Sequence, residues 1–224
     1  MKATNDDTFP VINARASLAK FFEGTLNRDL IFIKLSTNGL IVKNSPLPSV
    51  LGIAAAKYEL RLRRQITLVS QYERYYFPKE AYNPKAILVN SLDEPTIISK
   101  RYGYGYPEHF DEDTFPLIEY CKGNHLFIGH SIDQFEAKFL PWLHDPGNRI
   151  FDLMKENTDI LRLEHEYGCC DGWKWPNIRE LLDYYCIPGP NEGLISGMQY
   201  VRLLASIFQE MLSRSELRRI VISS

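Results

Sequence analysis

The 224-residue chain reads as an α/β fold in which a mixed sheet is flanked by helices. Three observations predict this. Leu30, Ile31, Phe32, Ile33 and Leu35 make a short apolar run rich in β-favouring side chains, as expected of a strand buried on both faces. Two long strand-like segments follow closely enough to form an antiparallel hairpin. Helical and short buried-strand patterns then alternate before helices close the chain. The first strand ends at a Thr37-Asn38-Gly39 turn, and α/β proteins gather ligands at the carboxyl ends of central strands. It delivers Lys34 and Ser36 to that end.

Residues 13 to 26 predict an amphipathic helix. Asn13 serves as its N-cap, Leu18, Phe21 and Phe22 form its apolar stripe, and Gly24 lies near its stop. It belongs to an N-terminal extension, residues 1–28, whose stripe packs on the domain or meets a partner. Val50 to Leu62 and Gln65 to Phe77 read as the hairpin strands, joined by the basic tip Arg61-Leu62-Arg63-Arg64. That tip is either a phosphate contact or a solvated turn. A short helical turn falls around Ala86 to Val89. Residues 93 to 113 read as loop, where the Tyr102-Gly103-Tyr104-Gly105-Tyr106 stretch either stacks bases or buries its ring edges.

Asp111, Glu112 and Asp113 suit the N-terminal dipole of a helix over Thr114 to Lys122, which Gly123 ends. His125 to Gly129 is a second buried strand. Behind it a helix carries Phe139, Leu140, Trp142 and Leu143, and Ile150-Phe151 makes a last short strand. Helices follow at Asp152 to Leu163, Asn177 to Tyr185 and Ser196 to Arg214. The organisation is thus one domain over residues 29–215, with a short tail at 216–224.

A net charge of −2 gives no global reason for nucleic-acid binding, so such binding would need a local patch. No apolar run approaches the roughly 20 residues of a membrane span, and the first ten residues are too polar and acidic for a secretory signal. Four cysteines in a chain of this length point to reduced thiols and a cytoplasmic setting. Cys121, His165, Cys169, Cys170 and Cys186 lack the spacing of a zinc set, which favours buried or incidental thiols.

Four segments in order resemble one family. Phe32 to Leu40, FIKLSTNGL, is similar to the first motif of the DnaQ-like DEDDh 3′–5′ exonucleases, F-x-D-x-E-T-T-G-L. Asn83-Pro84-Lys85-Ala86 with Val89-Asn90 resembles their N-P-x-A-x-x-x-N-G-L stretch, with Ser91 where glycine is usual. Ile128 to Leu140, IGHSIDQFEAKFL, resembles V-G-H-N-x-x-x-F-D-x-x-F-L. Trp173 to Pro176, Leu181 to Pro188 and Glu192 to Ala205 resemble the family's C-terminal run. The resemblance implies an RNase H-like fold: a five-stranded mixed β-sheet flanked by α-helices.

It also implies chemistry that these residues do not supply. In the family, two divalent metals are held by four carboxylates, and a histidine serves as general base. Residue by residue, the first Asp falls on Lys34, the Glu on Ser36, the second-motif Asp on Glu136, the His on Ile195 and the last Asp on Tyr200. One carboxylate of four remains, and Ile195 takes no proton at any pH. A shifted register would enlist Asp133, Asp152 or Glu192. The flanking Gly39-Leu40, Gly129-His130 and Val201-Arg202 matches oppose such a shift.

The expectation is therefore a catalytically inactive exonuclease-like domain with no metal cofactor, in which the Lys34 ammonium meets the Glu136 carboxylate. Ile195 and Tyr200 are expected to fill the cleft. Its expected role is binding a single-stranded nucleic acid or a 3′ end, through Thr37, Asn38, Leu40, His130 and Lys138, or binding a protein, with no membrane involved. The alternative is an active exonuclease that uses magnesium or manganese on relocated carboxylates.

Overall fold

A computed structural model of the protein describes residues 29–61, 65–123, 126–165, 172–190 and 196–214. The expected helix over 13–26, most of the basic tip, the Cys169-Cys170 pair, Glu192 and Ile195 lie outside these residues.

Strand β1 (Asp29–Thr37) is the centre of a five-stranded sheet. It pairs antiparallel with β2 (Val50–Leu60), which pairs antiparallel with β3 (Ile66–Tyr75). On its other side β1 runs parallel to β4 (Leu126–Gly129), and β4 runs parallel to β5 (Arg149–Asp152), giving the order β3-β2-β1-β4-β5. This is the five-stranded mixed sheet expected of the RNase H-like fold.

The period-2 geometry of a strand explains how β1 serves two cores. Leu30 and Phe32 face one cluster, whereas Ile31, Ile33 and Leu35 face the other. The first cluster is closed by α5 (Leu153–Leu161), α6 (Ile178–Tyr185) and α7 (Gly197–Arg214). The second is closed by α3 (Thr114–Cys121), α4 (Glu136–Phe139) and a 3-10 turn over Pro141–His144. Pro141 ends α4 after one turn, so the single helix expected behind β4 is two short pieces. By the same alternation Lys34 and Ser36 fall on the α7 face.

Residues 93 to 113 correct the loop reading. They begin with α2 (Glu94–Arg101), which follows α1 (Pro84–Asn90). Asp93 caps α2 by accepting from the Thr96 amide at 2.9 Å, and Pro95 occupies its first turn. The acidic trio does immediately precede α3, with Asp113 at its N-cap position, but without a side-chain capping bond. Its buried carboxylate accepts from Arg74 and from the Tyr76 hydroxyl instead. Of the tyrosines that follow α2, Tyr102 and Tyr104 are exposed, and Tyr106 is held beneath Arg101. Among the described residues no helix is long and apolar enough to cross a membrane.

Candidate functional site

The parallel strands β1, β4 and β5 all end on the same side of the sheet, and each delivers polar groups there. β1 contributes Lys34 and Ser36, the turn after β4 contributes His130, and β5 ends on Asp152. The turn after β4 is tight. A Cβ on Gly129 would lie 2.7 Å from the Cβ of Ile132, so only glycine fits. Ser131 is left-handed with φ of 62°, and Ser91 at the end of α1 is left-handed with φ of 57°. The family patterns place asparagine and glycine at these positions, the residues that adopt this conformation most readily.

Past Phe32 the β1–β4 pairing ends, and Glu136, from α4, fills the gap. Its Oε1 accepts from the Leu35 amide at 3.3 Å and from Lys34 Nζ at 2.8 Å. The Lys34 side chain is 22% exposed, the Glu136 side chain 0%. Lys34 Nζ also lies 4.8 Å from the Phe135 ring centre and 5.4 Å from that of Tyr200. The ammonium is thus enclosed by one carboxylate and two aromatic rings, an arrangement that stabilises a cation. The expected Lys34–Glu136 pair forms, and Tyr200 stands against it.

Asp152 is the second buried acid of the group. Its Oδ1 accepts from the Ser131 amide at 2.8 Å and from the Met154 amide at 3.0 Å, which caps α5 and ties it to the β4 turn. Burial pushes its carboxyl above the ordinary range. Burial, with the nearby Glu136 and Asp152, likewise pushes the Tyr200 hydroxyl well up. His130 Nε2 lies 2.9 Å from the Pro176 carbonyl oxygen, where a ring N–H donates, and burial pushes its pKa below the usual value. Two acceptors, Glu136 Oε2 and Asp152 Oδ2, are buried without a partner among the described residues.

The raised Asp152 carboxyl has a testable sign. Its contribution to stability is fully present below the ordinary carboxyl value of 3.8 and is lost as pH rises through the folded value. Asp152→Asn keeps the capping oxygen and removes that titration. At neutral pH it should melt no lower than the parent, with any advantage shrinking in acid. Asp152→Ala deletes the cap and should cost about 1 kcal/mol. Denaturant melts of both variants at neutral and acid pH check this; a strongly destabilised Asp152→Asn would show that the charge itself is needed.

The site residues read from sequence divide clearly. Asn38 is 3% exposed, and its amide is spent inside the protein. It donates to Glu80 at 3.1 Å and to the Ala81 carbonyl at 2.9 Å, and it accepts from the Asn83 amide at 2.9 Å. The Thr37 hydroxyl donates to the Gly39 carbonyl at 2.7 Å. Both shape the turn, and their side chains are withdrawn from any ligand; His130 is engaged by Pro176 as described. Leu40, 85% exposed, and the exposed Lys138 remain available. Asp133, a candidate under a shifted register, pairs with Lys155 at 2.7 Å.

Sequence reasoning gave no place to Glu73. It lies on β3 near the start of α7, where its Oε1 accepts from the Tyr75 hydroxyl at 2.7 Å and from the Met198 amide at 3.2 Å. Nothing in its local pattern marks it, because the Met198 amide comes from a distant part of the chain.

At positions that the sequence resemblance assigns to metal ligands, the structure places Lys34, Ser36, Glu136 and Tyr200, a set with one carboxylate and one cation. Among the described residues no group of three or more His, Cys, Asp or Glu could hold a metal ion.

No protein-family model and no curated protein matches this chain. Solved structures do match its fold. Cell-death related nuclease 4 aligns over 83% of this chain and 64% of its own, with a TM-score of 0.57 and 15% identity. Exonuclease I of E. coli, in complex with a 5cy-dT13 oligonucleotide, aligns over 86% of this chain and 41% of its own, with a TM-score of 0.59 and 14% identity. The nuclease domain of 3'hExo, a DEDDh family member bound to rAMP, aligns over 84% and 93%, with a TM-score of 0.56 and 10% identity. This chain therefore spans less than two thirds of the first two proteins. The fold is that of the DEDDh exonuclease domains, and at these identities the likeness concerns the fold alone.

Proposed function

We propose that this protein is a catalytically inactive exonuclease-like domain that binds single-stranded nucleic acid at a 3′ end. One observation carries the inactive part: Lys34 Nζ sits 2.8 Å from Glu136 Oε1, so a fixed cation takes the place where a divalent ion would need carboxylates. Clustered acids without metal repel one another; substituting a lysine for one of them removes that repulsion without any metal. Ile195, where the family resemblance asks for a general base, has no proton to move, and such a loss commonly lowers rates by about 10²–10⁴-fold.

The binding part rests on the fold and on what surrounds the Thr37-Asn38-Gly39 turn. Two proteins that share the fold carry an oligonucleotide or a nucleotide. Here the turn is kept, Leu40 is an exposed apolar residue beside it, and Lys138, two residues after Glu136, supplies an exposed cation. Phosphates would be met by such cations, and bases by apolar faces.

Two measurements test the proposal. Isothermal titration with manganese should show no uptake at the micromolar level, and labelled single strands should survive incubation with magnesium or manganese. Filter binding of the same strands should weaken as salt rises, with the slope expected of phosphate contacts. Digestion that disappears in Glu136→Ala would overturn the inactive reading. Absence of any salt-dependent retention would leave a protein-binding role, for which the exposed Tyr102, Tyr104 and Phe115 provide surface.

A further inference from the structure

A cavity of about 100 Å³ has Ser36 in its wall, whereas Lys34 and Glu136 are not among the residues that line it. Ser36, Glu73, Tyr75, Leu92, Lys100 and Gly197 are among its walls. Its volume falls short of the roughly 150 Å³ that admits a whole benzene ring, so it suits the edge of a flat ring rather than a complete nucleotide. Glycines make the space. A Cβ on Gly52, in the cavity wall, would come within 3.3 Å of Leu92 and 3.4 Å of Tyr75. One on Gly197 would lie 3.1 Å from the Cβ of Ala54, so glycine lets the start of α7 approach the sheet.

That approach fixes Glu73. The Tyr75 hydroxyl and the Met198 amide both bond Oε1, and burial together with Glu73 keeps Tyr75 protonated. Glu73 lines the cavity, and among the described residues its Oε2 has no hydrogen bond, so this carboxylate keeps an acceptor to offer. Lys100 stands over the Tyr75 ring at 5.5 Å and adds a cation at the rim. A carboxylate acceptor repels a phosphate or a carbonyl edge and attracts an N–H edge.

Resting on the nucleic-acid reading above, we infer that this cavity selects the base at the 3′ end, with Glu73 accepting from the exocyclic amine of adenine, cytosine or guanine. Thymine and uracil present no such amine; their one ring N–H is flanked on both sides by carbonyl oxygens, which a carboxylate repels. Ser36 links the two sites, because it stands two residues beyond Lys34 on the same face of β1. A strand whose end lies at the Thr37 turn therefore brings its last base to the cavity. Glu73 is a specificity residue in this scheme and takes no part in any bond-breaking step.

The test uses the full chain and four 5′-labelled thymidine 12-mers that differ only in the 3′-terminal base, followed by fluorescence anisotropy at fixed salt. Strands ending in dA, dC or dG should bind roughly 10-fold more tightly than the strand ending in dT, the usual effect of one charge-assisted hydrogen bond. Glu73→Gln keeps an oxygen for Tyr75 and Met198 but turns an amide NH₂ toward the cavity. It should abolish the preference for the three amine-bearing ends, with the dT-ended strand gaining relative to them, while its circular dichroism stays unchanged. Equal binding of the four strands by the parent protein overturns base selection and leaves the nucleic-acid reading standing. A preference that survives Glu73→Gln overturns the role of Glu73. If no strand binds, the nucleic-acid reading itself falls, and the inference with it.

Discussion

Lys34→Met should lower the unfolding free energy by about 3 kcal/mol, toward the small end of the 3–5 kcal/mol range for breaking a buried pair. It should lower the melting midpoint by on the order of 10 °C. The reason lies in the asymmetry of the pair: Glu136 is 0% exposed, whereas Lys34 retains some contact with water. Once the ammonium is removed, Glu136 must either stay charged without a cation or take up a proton, and both cost free energy. The double variant Lys34→Met with Glu136→Met is the control. Replacing a buried pair by apolar groups of similar volume is often neutral or stabilising, so the double variant should recover most of the loss. Thermal melts of the two variants decide the matter; a single variant as stable as the parent would show that the pair is worth no more than a surface contact.

Phe208→Ala should be at least as damaging. Phe208 is fully buried on α7, and its ring packs edge-on against Phe32 of β1 at 5.7 Å and against Phe151 of β5 at 5.3 Å between centres. It therefore fastens the C-terminal helix to two strands that deliver site residues. Truncating a buried phenylalanine typically costs about 3–5 kcal/mol, through lost transfer free energy and the cavity left behind. Denaturant unfolding should show the loss as a lower midpoint. Because α7 also carries Tyr200 and the amide that holds Glu73, any strand binding should fall with it. A variant that melts like the parent would mean that α7 is held mainly by other contacts.

The strands were legible because their signals are local. An apolar run such as Leu30–Leu35 means a doubly buried strand wherever it is placed. The order of elements and the five-stranded sheet followed from such runs and from the family resemblance. Helix α2 was missed although its start is written plainly, with Asp93 as cap and Pro95 in the first turn; the nearby tyrosines and glycines drew the whole stretch into a loop. Asp113 stands before α3 as expected, but its partners were not legible. A carboxylate before a helix fits its dipole, but Arg74 and Tyr76 reach the same group from a strand far off in sequence. Lys34 and Glu136 were paired correctly because motif positions carried information about distance in space. Asn38 gave no hint that its amide donates to Glu80 and Ala81, which lie outside the matched segments, whereas the Thr37 hydroxyl is taken up by Gly39 within its own motif.

The Asn38 amide has a consequence for how a ligand would be received. Through one side chain and its own backbone N–H it joins the turn after β1 to Glu80, Ala81, Asn83 and Ser49. Three segments therefore share one buried junction, and none of them can open without breaking bonds of the others. The surface beside the cleft is in place before anything arrives. A strand docking there would not have to order it, so little conformational entropy is lost on the protein side and more of the contact free energy survives as affinity.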